Sequence, residues 1–110
     1  MTALSTALAS LFALVLAAPA EPLPGQERIE SVALAGSGTA GTIVTTPVLL
    51  GGDRTAYQFG KGRCRSHKLE TAVVEQVLTA MRARAPVRIE ATTIGDERCV
   101  TGITFFAPDA

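Results

Sequence analysis

Residues 64–99, CRSHKLETAVVEQVLTAMRARAPVRIEATTIGDERC, decide the fold. Their pattern predicts one long helix from Ser66 to Ala85, then a strand, a tight turn and a second strand, with a cysteine near each end. Ser66 is a suitable N-cap, because its hydroxyl can accept from an orphan N–H of the first turn. Pro86 stops the helix, since it has no N–H to continue the ladder. Lys68, Thr71, Glu75, Thr79 and Arg82 recur at three- and four-residue spacing and make one narrow polar stripe. Leu69, Ala72, Val73, Val77, Ala80 and Met81 cover one flank, and Val74, Leu78 and Ala85 another. A helix this apolar calls for two surfaces. One is its own sheet. The other is either a neighbouring subunit, giving self-association through the helix, or a small barrel that wraps it more fully; the pattern leaves both open.

Beyond the helix, Val87, Ile89 and Ala91 alternate with Arg88, Glu90 and Thr92, which is a half-buried strand. Ile94 to Glu97 turns the chain. The last strand, Arg98 to Phe106, is expected to carry Cys99, Thr101, Ile103 and Phe105 on one face and Val100, Thr104 and Phe106 on the other. Apolar groups on both faces make it central or interfacial.

Before the helix, Arg28 to Ala35 is a first strand whose alternation is imperfect. Gly36-Ser-Gly-Thr-Ala-Gly41 spells G-x-G-x-x-G, but the stretch after it, Thr42 to Thr46, is β-branched and strand-forming. The dinucleotide fingerprint needs a helix there, so these glycines read as a hairpin connection. Pro47 ends the second strand. Gly51-Gly52-Asp53 turns, and Thr55, Tyr57 and Phe59 share one face of a third.

Residues 1–20 hold an uncharged apolar run ending in Ala18-Pro19-Ala20, the pattern of a cleaved secretory signal peptide. The run is shorter than the roughly 20 residues a membrane span wants, so no membrane span is expected after cleavage. Residues 21–27 form a Pro-rich flexible leader, and 28–107 a single domain. The protein is expected to be secreted or periplasmic. In an oxidising compartment its two cysteines pair as Cys64–Cys99, a staple that a domain of this size needs. Ten acidic and ten basic residues balance, which gives no sign of nucleic acid or an anionic membrane as partner. With no Asn in the chain there is no N-glycosylation site.

Three strands, one helix and two strands predict a mostly β, α+β fold. The leading form is a five-stranded OB-like barrel with the helix between the third and fourth strands. A small sandwich with the helix on one sheet face is the alternative.

A cysteine just before the helix, the run Leu78-Thr79-Ala80-Met81, the strand Val87-Arg88-Ile89-Glu90 and a cysteine opening the last strand form a pattern spanning roughly Tyr57 to Phe105. It resembles the secreted OB-fold B subunits of pertussis-type and related bacterial toxins. The resemblance implies a disulfide-stapled OB domain that forms rings and binds surface glycans. It carries no binding residues over.

No catalytic set is present, so the chain reads as a non-enzyme without cofactor or metal. His67 and Cys64 would need a free thiolate to act as a nucleophile pair, and one histidine offers too few metal ligands. Asp96 and Glu97 sit in a turn, where acidic residues serve local purposes. The candidate ligand-binding residues are the glycine-flanked cations Lys61, Arg63, Arg65 and Lys68, together with Tyr57, the one Tyr in a chain without Trp. They suit an anionic partner such as a sialylated glycan, a phosphate or an acidic protein surface. The expected function is a binding module, with a monomeric inhibitor or envelope protein-interaction domain as the alternative.

Overall fold

The computed structural model describes residues 25–49 and 52–108. The expected signal peptide and most of the leader lie outside the described residues. Five strands, β1 (Glu27–Ala35), β2 (Ala40–Pro47), β3 (Thr55–Phe59), β4 (Pro86–Ile94) and β5 (Glu97–Phe105), close into a barrel in the order β1-β2-β3-β5-β4. The helix α1 (Thr71–Ala83) lies between β3 and β4, as the OB-like reading expects. All neighbouring strands are antiparallel except β3 and β5, which run parallel and meet at the pair Gln58↔Cys99.

The core follows from strand alternation. Ile43 and Thr45 on β2, Tyr57 and Phe59 on β3, and Val87 and Ile89 on β4 point inward and are buried. Two bulges reset the alternation elsewhere. On β1, Ile29 pairs with Thr45 but Ser31 with Val44, so Glu30 is the extra residue. That explains the imperfect pattern: Ile29 and Val32 both face the core, three positions apart. On β5, Gly102 faces Glu90 while Val100 faces Ala91, so Thr101 bulges. The expectation that Cys99 shares a face with Ile103 and Phe105 is therefore corrected. Val100 joins them in the core, and its neighbour Cys99 points the other way, beneath the turn it is bonded to.

The helix begins at Thr71, five residues later than Ser66. The cause is long-range. Cys64 is fixed to β5 by its disulfide, the N–H of His67 closes a turn on the Cys64 carbonyl at 2.8 Å, and the N–H of Leu69 donates to the Thr39 carbonyl at 3.3 Å. These tethers draw residues 64–69 across the barrel end before the chain can coil. Ser66 caps nothing; its hydroxyl lies 3.4 Å from Nδ1 of His67, which belongs to this turn and not to a first helical turn.

The helix ends in a Schellman motif. The N–H of Ala85 donates to Ala80 O at 3.0 Å and that of Arg84 to Met81 O at 3.2 Å. Arg84 sits in the left-handed region, with φ 55°. Val74, Val77 and Ala80 enter the core, with Leu78 and Met81 packed partly against it, so the barrel receives both apolar flanks. The face left outward is Ala72, Glu75, Gln76, Thr79 and Ala83. A shallow groove of about 560 Å³ runs between that face and Phe105 and Phe106.

Candidate functional site

The cationic loop is built on a short scaffold. Gly62–Cys64 form a single 3-10 turn, with the N–H of Cys64 on Lys61 O at 2.8 Å and that of Gly60 on Cys64 O at 3.0 Å. Cys64 is bonded to Cys99, and both are fully buried. The β4–β5 hairpin supplies a second anchor. A carboxylate oxygen of Glu97 accepts the N–H of Arg63 at 2.9 Å, which satisfies an orphan donor of the turn. The Arg63 guanidinium lies flat across Gly95, where a Cβ would fall 2.7 Å from its Nη1, and its Nε is 4.0 Å from Asp96.

Arg63 is thus a strut between loop and hairpin more than a waiting cation. Lys61, Arg65 and Lys68 are exposed and have no ion pair among the described residues. Beside the same hairpin tip a polar cleft of about 320 Å³ is lined by Arg54, Gln58, Asp96 and Arg98. Arg54 there pairs with Glu30 at 2.9 Å, and Gln58 accepts from the Thr42 hydroxyl at 2.8 Å. Loop and cleft share Asp96 and Glu97 as a common rim. Those two carboxylates, legible in the sequence only as turn formers, position the loop.

Tyr57 is not brought to this site. Its ring points into the barrel, and its hydroxyl donates to the Glu27 carboxylate, 2.8 and 3.0 Å from the two oxygens. The buried Thr45 hydroxyl donates to the same carboxylate at 2.6 Å. The cavity beside Tyr57, about 590 Å³, is walled by Glu27, Pro47, Leu49 and Ile89 and by none of the loop cations. Burial pushes the Tyr57 phenol from 10.0 up to about 12, with the hydrogen bond to Glu27 and its charge adding to the effect.

Because the folded pKa is raised, the folded chain keeps a proton that the unfolded chain releases between pH 10 and 12. The stabilisation is complete below pH 10 and falls as pH rises through that window. Tyr57→Phe is expected to flatten the fall, as read by urea midpoints at about pH 9 and about pH 11. An equal fall in both proteins would refute the assignment.

His67 is half-buried, and Cys64 beside it is oxidised, so the two make no nucleophile pair. No group of three or more His, Cys, Asp or Glu among the described residues is placed to hold a metal ion.

No protein-family model, curated protein or solved structure matches this chain.

Proposed function

We propose that the chain is a small exported binding module that takes an anionic, hydroxyl-rich ligand of the sialylated-glycan class on the loop 60–68 and performs no catalysis. One observation carries this reading. The loop is pinned covalently to β5 and again by Glu97, while Lys61, Arg65 and Lys68 face solvent without a counter-charge among the described residues. A pre-ordered loop loses little conformational freedom on binding, which favours affinity. Clustered cations steer anions towards it. The adjoining cleft supplies Gln58 and Arg98 for hydroxyl groups. Export is supported by the disulfide, which persists in oxidising compartments. No helix among the described residues is long and apolar enough to cross a membrane.

The test is binding of the oxidised chain to immobilised sialylated glycans and to their desialylated forms. Arg65→Glu with Lys68→Glu is expected to lower affinity at least about tenfold, each lost charge-assisted contact being worth ~1.5 kcal/mol or more. The melting temperature should stay nearly unchanged, since both side chains are exposed. Affinity indifferent to both the variant and the sialic acid would overturn the proposal. Capture of an acidic protein by the same loop would favour the inhibitor or envelope-partner reading instead.

A further inference from the structure

At the opposite end of α1, about 20 Å from the loop by helix length, Arg28, Arg82 and Arg84 line one cavity of about 580 Å³ with Thr46 and Met81. Among the described residues its one carboxylate is Glu30, which Arg54 engages at 2.9 Å. The three arginines come from β1, the last helical turn and the cap, so the fold assembles a concentration of positive charge that no local segment contains.

One detail separates this cluster from the ordinary placing of cations at a helix C-terminus. That placing accounts for Arg82, which lies in the last turn, and for Arg28 on β1, whose Nε donates to the Arg84 carbonyl at 3.1 Å. It does not account for Arg84 itself, the one non-glycine residue with positive φ among the described residues. Glycine is the unstrained choice at that position of a Schellman motif. A guanidinium placed there is delivered to the cavity wall at a cost in backbone strain, and strain of this kind gathers at binding sites. Of the carbonyls at the helix end, which would repel an anion, Ala80 O and Met81 O are occupied by the cap and Arg84 O by Arg28.

We propose that this cavity is a second ligand site, for a compact oxyanion such as a phosphate or sulfate group, clamped by Arg82 and Arg84 with the Thr46 hydroxyl beside them, while Arg28 on its wall holds the Arg84 carbonyl. Guanidinium suits such groups because its planar fork gives two parallel hydrogen bonds to one oxyanion. The site is independent of the loop 60–68, so either proposal can fail alone.

The full oxidised chain is titrated with sodium pyrophosphate and with a sulfated heparin disaccharide at fixed ionic strength, followed by calorimetry and melting temperature. Saturable binding is expected, weakened at least about tenfold by Arg82→Gln and by Arg84→Gly, and unchanged by Arg65→Glu with Lys68→Glu. Arg84→Gly relieves the left-handed arginine and should raise the ligand-free melting temperature by a few degrees, so its loss of binding would not reflect misfolding. Tighter binding of pyrophosphate assigns the site to phosphate, and tighter binding of the disaccharide to a sulfated sugar. Absence of saturation by either probe, or affinity unaffected by both arginine variants, overturns the proposal.

Discussion

Replacing Cys64 and Cys99 together with alanine is expected to lower the unfolding free energy by about 4 kcal/mol. The two positions are 35 residues apart, and closing a loop of that length removes about that much free energy of chain entropy from the unfolded state. Domains of this size hold only ~5–15 kcal/mol in total. The melting temperature should therefore fall by roughly 15–30 °C, at about 4–8 °C for each kcal/mol. Both sulfur positions are fully buried, so the alanines add a small cavity term of the same sign. Urea unfolding of the oxidised parent and of the double variant measures the difference. A loss under about 1 kcal/mol would mean that Glu97 and the turn hydrogen bonds hold residues 60–68 unaided.

Gly41→Ala is the second large effect, expected at about 3 kcal/mol. A Cβ at Gly41 would lie 2.1 Å from the carbonyl oxygen of Ala33 and 3.1 Å from Cζ of Phe59. The oxygen belongs to the backbone of the partner strand, and the ring is fully buried in the core, so neither can step aside cheaply. Gly36 provides the control. It has φ +60°, and a Cβ there would have nothing within 4 Å, so alanine meets only the backbone penalty, about 1 kcal/mol. If denaturant midpoints rank Gly36→Ala as the costlier change, the close packing of β1 on β2 at this point is wrong.

The glycines of G-x-G-x-x-G thus have unrelated reasons. Gly36 and Gly38 turn the chain with positive φ, and Gly41 makes room for a neighbouring strand. The sequence pattern alone cannot tell these apart.

Much of the fold is legible in the sequence because it rests on local periodicity. β-Branched residues mark β2, alternation marks β3 and β4, the polar stripe marks α1, and two cysteines allow one pairing. What escapes is set by contacts between distant residues. Ser66 to Glu70 have nothing against helix formation, yet a disulfide and the hydrogen bond from Leu69 to Thr39 hold them out of it. The bulge at Glu30 shifts the faces of β1 without a glycine to announce it, and the one at Thr101 on β5 adjoins Gly102, a signal that marks a bulge but not which face each side chain then takes.

The candidate site divides for the same reason. Lys61, Arg63, Arg65 and Lys68 are neighbours in sequence and stay so in space. Tyr57 does share a face with Phe59, but that face is the interior one. Arg28 and Arg84 are 56 residues apart, and only barrel closure brings them together.

The parallel seam gives the disulfide a mechanical meaning. Between β3 and β5 the ladder is a single pair, Gln58↔Cys99, whereas β4 and β5 pair along their whole length. The covalent bond is anchored on Cys99, at that thin join. The barrel is a hoop whose ends barely overlap, riveted at the overlap. Reduction would free the rivet and let the hoop open into a strip, baring two strand edges whose unpaired N–H and C=O groups invite a neighbouring molecule to pair. The bond that stabilises the folded chain also sits where it holds both of those edges paired.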